Sequence, residues 1–311
     1  MAKSVSLSNP PVLTATPTKK ANHLALAALF AGAVAISFAP IFVRLSQVGP
    51  SATGFWRLAL AMPVLWLWLY LEGRGPIAPR RPANLADYSR LALVGLCLAG
   101  DLAVWHWSIK FTSVANATLL ANFSPVFVAL GAWLFFRQRF GLPFYLGMVV
   151  AMAGAAILIG SGFSLGGQHL LGDGLGGAAA LLYAGYMLAV ARLRRNFSTA
   201  TIMSWSGLVT CIALLPVTML SGETLLAATL GGWAVLLGLA FVSQVSGQGL
   251  ITFALAHLPA PFSSVSLLLQ PVIAAVLAWI ILSEPLGFWQ AVGGIIVLAG
   301  IFVARWSSRT A

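Results

Sequence analysis

The chain has 311 residues, of which 60% are hydrophobic and 7% are charged. Soluble domains carry about 25% charged residues, so this composition excludes an ordinary soluble protein and indicates an integral membrane protein. The formal net charge of +11 would suggest a nucleic-acid partner in a soluble protein, but here the placement of the charges along the chain decides their meaning. The two cysteines lie in apolar runs and form neither a metal-binding nor a disulfide pattern.

Apolar runs of about 20 residues follow one another along the chain, and each is long enough to cross a hydrocarbon core of about 30 Å. We therefore predict an all-α integral membrane protein with ten transmembrane helices. The predicted spans are 24–43, 52–71, 91–110, 114–136, 143–161, 174–192, 201–220, 232–254, 262–282 and 287–306.

Residues 1–22 precede the first span and are rich in Ser, Thr, Pro and Lys, which predicts a disordered cytoplasmic tail. A signal peptide is the alternative, because Lys19 and Lys20 precede an apolar run that contains small residues. That run is longer than the apolar part of a signal peptide, and nine similar runs follow it, so the tail is favoured.

The Lys and Arg residues are divided unevenly between the two sides of the predicted bundle. With a cytoplasmic N-terminus, 14 of the 17 lie on the inner side, and Arg44, Arg57 and Lys110 lie on the outer side. The positive-inside rule therefore predicts a cell (inner) membrane protein with both termini cytoplasmic. The basicity is thus a topology signal, and no nucleic-acid partner is expected.

An internal repeat divides the chain. Residues 125–154 align without a gap to residues 271–300, with nine identities in thirty positions that include Pro, Trp and three Gly. We predict two five-helix repeats, residues 23–161 and 172–306. Because five is odd, the second repeat enters the membrane from the opposite side, and inverted repeats are characteristic of transporters that work by alternating access.

Several short motifs follow the order found in one transporter family. They are Phe38 and Tyr183 late in the first helix of each half, Phe55-Trp56-Arg57, Ser108-Ile109-Lys110-Phe111-Thr112, Pro125 to Trp133, and Pro271 through Ser283-Glu284-Pro285. On these motifs the chain resembles the drug/metabolite transporter superfamily, in particular its ten-helix exporters built from two EamA-type domains. Gln138 stands where the first half of the family often carries Glu, so the role of that Glu is not carried over.

The resemblance implies a transporter that exports amino acids or related small metabolites, and members of similar layout resemble the aromatic amino-acid exporters. Besides a membrane scaffold without transport, which the polar stripes disfavour, two classes of alternative remain open. One is a carrier of the same fold for a nucleoside, a polyamine or a drug cation, and the other is an intramembrane enzyme acting on lipid-linked substrates. The enzyme would need a paired catalytic set, and only Asp101, His106 and Cys97 are available, so no catalytic residue, cofactor or metal is assigned.

Asp101 is the one acidic residue deep within a predicted span. A charge at a helix centre costs about 2.5 to 3.5 kcal/mol on insertion scales, so it should face protein or a water-filled cavity. Helical spacing places it on one stripe with Cys97, Trp105 and Ser108. The carboxylate is either a structural hydrogen-bonding group or a group that binds a substrate amine or a coupled proton.

Polar stripes also occur on predicted helices 4, 8 and 9, where they either join neighbouring helices or face a central cavity. Helices 3 and 4 are equivalent to 8 and 9 under the repeat, which favours a cavity on the pseudo-twofold axis. The predicted substrate-binding residues are Asp101, Asn122, Gln244, Gln248 and Gln270, with Phe38, Trp105, Tyr183 and Tyr186 as aromatic walls. The predicted hinges are Pro40, Pro125 and Pro271.

Two arginines and two pairs of glycines lead to further predictions. Arg44 and Arg57 lie near the outer ends of helices 1 and 2, where they either attract a solute carboxylate or bind lipid phosphate, and lipid is favoured. Gly147 and Gly154, like their equivalents Gly293 and Gly300, are seven residues apart on one helix face, which predicts close packing of helices 5 and 10.

Overall fold

The computed structural model describes residues 19–75, 79–112, 114–160, 170–283 and 286–307. In this part of the chain all regular structure is helical, and ten helices are long and apolar enough to cross a membrane. The predicted all-α, ten-span fold is confirmed. In chain order the helices are α1 (Lys19–Ser37 and Ala39–Leu45), α2 (Pro50–Ala59 and Met62–Glu72), α3 (Leu85–Phe111), α4 (Val114–Ala121 and Ser124–Phe136), α5 (Leu142–Ile159), α6 (Leu170–Leu193), α7 (Thr199–Leu220), α8 (Leu230–Ala254), α9 (Ala260–Ser266 and Leu269–Leu282) and α10 (Phe288–Ser307).

Two helices, α1 and α3, begin five and six residues earlier than the apolar pattern predicts. α1 begins at Lys19, so residues 19–22 of the predicted tail are helical, in keeping with the high helix propensity of Lys and Ala. α3 begins at Leu85 because Asn84 caps it, its side chain accepting a hydrogen bond from the Asp87 backbone N–H at 2.9 Å. Residues 1–18 of the predicted tail lie outside the described residues.

Four of the spans are broken close to a proline. Proline has no backbone N–H, and its ring collides with the carbonyl four residues earlier, so it commonly kinks or breaks an α-helix. α1, α4 and α9 break just before Pro40, Pro125 and Pro271, where the sequence predicts bends. α2 also breaks before Pro63, which was not expected. Movement about these breaks during transport stays a prediction.

The helix pairs reflect the two-repeat architecture. The repeat exchanges α1 with α6, α2 with α7, α3 with α8, α4 with α9, and α5 with α10. α3 packs along α6, and the equivalent pair, α8 with α1, is also in contact. The pairs α2–α7, α4–α9 and α5–α10 are each mapped onto themselves, and all three are in contact. The pseudo-twofold axis therefore passes between the members of these three pairs.

The closest helix pair is α5–α10, as the glycine spacing predicts. A β-carbon at Gly154 would lie 2.8 Å from the Gly293 carbonyl oxygen, and one at Gly147 would lie 2.7 Å from the Gly300 carbonyl oxygen. The repeat converts the first contact into the second, because it exchanges Gly147 with Gly293 and Gly154 with Gly300. The two helices thus cross backbone against backbone, a distance that only glycine permits.

α2 and α7 are joined by a carboxylate at each end. Beyond the C-terminal end of α7, Glu223 accepts hydrogen bonds from the first turn of α2, from Ser51 N at 2.8 Å and from Ala52 N at 3.4 Å. At the other end, Glu72 accepts a hydrogen bond from the hydroxyl of Ser198, the N-cap of α7, at 2.6 Å. Each helix start is therefore held by an acidic residue of the opposite repeat, which suits the partial positive charge of helix N-termini.

The bundle is packed more tightly in one half than in the other. Because ten is an even number, α1 begins and α10 ends on the same side, which we call the terminal face. The largest apolar cluster lies in the half next to this face, and it includes Leu29 of α1, Val94 of α3, Val128 of α4 and Ile251 of α8. This packing closes the terminal half and leaves space near the middle of the helices.

Candidate functional site

A cavity of about 270 Å³ lies where α1, α2, α3, α4, α6, α8 and α9 meet. Most of its wall comes from the middle of these helices and from the half far from the terminal face. α5, α7 and α10 contribute none of the wall residues. The volume is close to the lower end of the range of about 300 to 1,000 Å³ for ligand pockets, so the cavity suits a small solute.

One face of α3 forms a continuous part of the wall. Leu98, Asp101, Leu102 and Trp105 line the cavity, and their spacing of three and four residues is that of one helix face. Ser108, which the sequence places on the same stripe, instead donates a hydrogen bond to the Gly172 carbonyl oxygen of α6 at 2.7 Å. The lining face is therefore rotated slightly from the predicted one, but it retains Asp101 and Trp105.

Arg57 also lines the cavity, which corrects the preference for a lipid contact. It lies seven residues into α2, about 10 Å along the helix from its start. Its Nε donates a hydrogen bond to Gln244 Oε1 of α8 at 2.8 Å. Its charge interacts electrostatically with the carboxylate of Asp101. The sequence signal that identifies it is a charged residue within an apolar run, which usually marks a functional position.

α8 holds two glutamines in different surroundings. Residues 239–248 form a π-helix, in which the backbone hydrogen bonds run from i to i+5. Gln244 is buried against Arg57, whereas Gln248 lines the cavity and donates from Nε2 to the Tyr186 hydroxyl at 2.9 Å. Tyr186 is fully buried behind the wall and stacks on Tyr183, with ring centroids 5.9 Å apart. Gln244 and Tyr186 thus support wall residues rather than form the wall.

The broken helices α4 and α9 contribute polar groups at their breaks. Asn122 lies in the break in α4 and Ser124 follows it, and Gln270 and Pro271 follow the break in α9; all four line the cavity. Gln270 Nε2 is buried and has no hydrogen-bond partner among the described residues. A buried donor without a partner is unusual in a folded protein, and here it lies at the wall of a cavity.

Phe38 does not form part of the wall, which corrects its predicted place there. It lies at the break in α1 with its ring 6.2 Å from that of Phe42, while its neighbours Ser37 and Ala39 line the cavity. Pro40 does line the cavity.

The structure therefore brings together six of the nine predicted substrate-binding residues in one wall. They are Asp101, Trp105, Asn122, Tyr183, Gln248 and Gln270. Their contact with a solute stays a prediction, as does a lipid contact for the exposed Arg44. No group of three or more His, Cys, Asp or Glu side chains that could hold a metal ion occurs among the described residues.

Both halves of the chain match one transporter family. Residues 22–160 and 170–306 each match the EamA-like transporter family. The chain belongs to this family. The protein is therefore a multi-pass membrane transporter and not an enzyme, and its two matched segments each contain five of the ten spans.

Individual relatives of this EamA-family transporter are similar at low identity. The "Probable terminal-alkyne amino-acid exporter" of Streptantibioticus cattleyicolor is 28% identical over 86% of this chain and 88% of its own length. The "Pseudopaline exporter CntI" of Pseudomonas aeruginosa is 28% identical over 81% of this chain and 84% of its own length. A solved crystal structure superposes with a TM-score of 0.78 at 18% identity, covering 93% of this chain and 100% of that chain, which supports the fold.

Proposed function

We propose that this EamA-family transporter exports amino acids or closely related small metabolites by alternating access. The observation that carries the proposal is a carboxylate, Asp101, in the wall of a central cavity between aromatic side chains. A carboxylate within a membrane span is expensive and is usually retained for function. An ammonium group is a cation that Asp101 can bind, and every amino acid carries one at neutral pH.

The rest of the cavity supports a small amphipathic solute. Trp105 and Tyr183 line the wall, and aromatic faces attract ammonium groups and stack on apolar side chains. Asn122 and Gln270 add amide groups that hydrogen-bond to polar parts of a solute. Apolar surface with a few placed polar groups is the usual composition of a small-molecule site.

Alternating access is supported by the uneven packing of the bundle. The half next to the terminal face is closed by apolar side chains, whereas the cavity lies near the middle and in the other half. The distribution of Lys and Arg predicts that both termini are cytoplasmic. With that orientation, the cytoplasmic half is closed and the cavity lies towards the outside, which is the outward-facing state from which an exporter releases its solute. Reporter fusions at both chain ends test this orientation, and fusions that report opposite sides would contradict it.

Export as the direction, and amino acids as the solute class, rest on the family resemblance and on the exporters to which the chain is similar. The test is counterflow in liposomes that contain the purified transporter and a panel of radiolabelled amino acids, nucleosides and polyamines. Exchange of one or more amino acids is expected. Exchange of nucleosides or polyamines alone would reject the proposal in favour of a different solute.

Asp101 provides the matching mutational test. Asp101→Asn removes the charge at almost constant size, and we expect at least a ten-fold loss of amino-acid exchange, because a charge-assisted hydrogen bond contributes about 1.5 to 3 kcal/mol. Cys97→Ser is the control, since Cys97 lies one turn away on α3 and outside the cavity wall. Normal exchange by Asp101→Asn would show that this carboxylate is structural.

We propose that a transport cycle coupled to protons would bind the proton at the carboxylate of Asp101. Of the acidic residues that the structure describes, Asp101 alone lies within the middle of a span. Exchange by the wild-type protein is therefore measured with and without an imposed pH gradient. A gradient dependence that Asp101→Asn abolishes at normal protein yield supports coupling there, and unchanged gradient dependence in this variant excludes it.

A further inference from the structure

We propose that Arg57 binds the carboxylate of the solute while Asp101 binds its ammonium group, so that the cavity selects zwitterions over simple amines and simple acids. This inference rests on the proposed function and adds the group that defines the solute class. Asp101 alone would suit any organic cation, including a polyamine. Arg57 is the second charge in the same wall, and its presence changes what the cavity accepts.

The two charges are arranged as a separated pair. Both lie well inside their spans, Arg57 on α2 and Asp101 on α3, and both line the cavity. They interact electrostatically, yet no ion pair within 4 Å joins these two described residues. Directly paired charges would satisfy each other. Two charges that line the same cavity without forming an ion pair with each other instead offer one anionic and one cationic contact, which is the charge pattern of a zwitterion.

Gln244 makes Arg57 suitable for binding an anion. It is 2% exposed, and its Oε1 accepts the hydrogen bond from Arg57 Nε at 2.8 Å. This bond orients the guanidinium group but uses one of its five N–H donors. The four donors on the two terminal nitrogens form no hydrogen bond to any described residue. A planar pair of such nitrogens matches the two oxygens of a carboxylate.

The neutrality of Gln244 matters as much as its hydrogen bond. A Glu at this position would accept the same bond and would also neutralise Arg57, so the guanidinium would have no charge left for a solute. An amide holds the side chain without satisfying its charge. Gln244 is therefore a positioning residue, and Arg57 is the group that touches the solute.

Gln270 adds a second donor to the same wall. Its Nε2 is buried and has no partner among the described residues, and the residue lines the cavity from α9. A carboxylate accepts about four hydrogen bonds, so it has capacity for both the guanidinium and this amide. Arg57 and Gln270 belong to different repeats, so a solute carboxylate bound by both would bridge the two halves of the transporter.

The experiment compares matched compounds that differ only in their charged groups. Binding to the purified full-length transporter in detergent is measured as the shift in thermal unfolding temperature over a concentration series. The probes are L-phenylalanine, phenethylamine and 3-phenylpropanoate, and then L-leucine, isoamylamine and 4-methylpentanoate. We expect at least one of the two amino acids to bind at least ten-fold more tightly than its amine and its acid.

Three variants then assign the preference to residues. Arg57→Gln should bind the amino acid and the amine equally, and Arg57→Lys should restore part of the preference because it restores the charge. Gln244→Glu should weaken amino-acid binding at least ten-fold without removing Arg57. The Gln244→Glu variant also serves as a control for misfolding. Its new ion pair with Arg57 should leave the unfolding temperature of the ligand-free protein unchanged or raised.

The outcomes separate this inference from the proposed function. Equal binding of amines and amino acids by the wild-type protein would overturn the role of Arg57 and leave the role of Asp101 intact. Normal amino-acid preference in Gln244→Glu would overturn the same role. Binding of none of the six compounds, together with no exchange of any amino acid in the counterflow assay, would contradict the proposed function and this inference together.

Discussion

α5 and α10 are unbroken helices that touch backbone to backbone, whereas four of the seven helices around the cavity are interrupted within the span and a fifth, α8, contains a π-helix. The α5–α10 contact uses glycines and has no room for an added methyl group. The cavity wall carries charges, amides and a donor that has no partner among the described residues. The comparison indicates that the α5–α10 contact is a rigid seam between the two repeats, whereas the region around the cavity is deformable, as the proposed binding and movement of a solute require.

The largest effect is expected from breaking the seam. Gly154→Leu places a side chain where a β-carbon alone would lie 2.8 Å from the Gly293 carbonyl oxygen. Overpacking costs typically about 1 to 3 kcal/mol and more against backbone, so we expect severe loss of folded protein. The measurement is the yield of monodisperse protein in detergent. Gly177→Leu is the control, because a β-carbon there meets no atom within 4 Å.

A Gly154→Leu protein with wild-type yield and unfolding temperature would show that α5 and α10 separate easily. The seam would then not be the rigid part of the molecule, and the contrast with the cavity would disappear.

A smaller effect is expected at the α2–α7 pair, which crosses the axis like the seam but supplies Arg57 to the cavity. Glu223→Gln weakens the charge-assisted hydrogen bonds to Ser51 N and Ala52 N. We expect a loss of about 1 to 3 kcal/mol in unfolding free energy. It is read as a lower unfolding temperature, alongside binding of L-phenylalanine and L-leucine. An unchanged unfolding temperature would show that this carboxylate does not secure the pair.

The smallest effect on stability is expected at the helix breaks. Pro125→Ala and Pro271→Ala restore a backbone N–H that can hydrogen-bond within the helix. We expect unfolding temperatures equal to or above that of the wild-type protein but slower exchange in liposomes, because a continuous helix bends less readily. Pro216→Ala on α7, a proline within an unbroken helix outside the cavity wall, is the comparison. Equal exchange rates in all three variants would reject the hinge role.

The fold was predictable because its signals are local. Ten apolar runs determine ten spans, and glycines seven residues apart on two equivalent helices predict the seam at Gly154 and Gly293. Proline positions predict three of the four breaks. The break before Pro63 was missed because Pro63 lies in a run that is otherwise uniformly apolar and gave no second signal.

The candidate site was only partly predictable. Asp101 and its neighbour Trp105 were found because a charge deep in a span is rarely placed without a role. Arg57 was assigned to lipid because distance from the end of a span does not say which way a side chain faces. Gln244 and Gln248 lie in the π-helix of α8 and have different hydrogen-bond partners, and no periodicity in the sequence signals this π-helix. Phe38 was placed in the wall because of an assumed equivalence with Tyr183, which the ungapped alignment beginning at Pro125 does not cover.

The reciprocal contacts of the seam make it isologous: Gly147 and Gly154 of one repeat meet Gly300 and Gly293 of the other in a contact that the pseudo-twofold axis maps onto itself. Two separate polypeptides form closed dimers through such self-complementary patches. A five-helix half made alone would expose this glycine face to lipid, so two halves produced as independent chains should find each other and reassemble. Covalent linkage then serves to keep the stoichiometry at one to one and to let the two faces of the patch diverge in sequence.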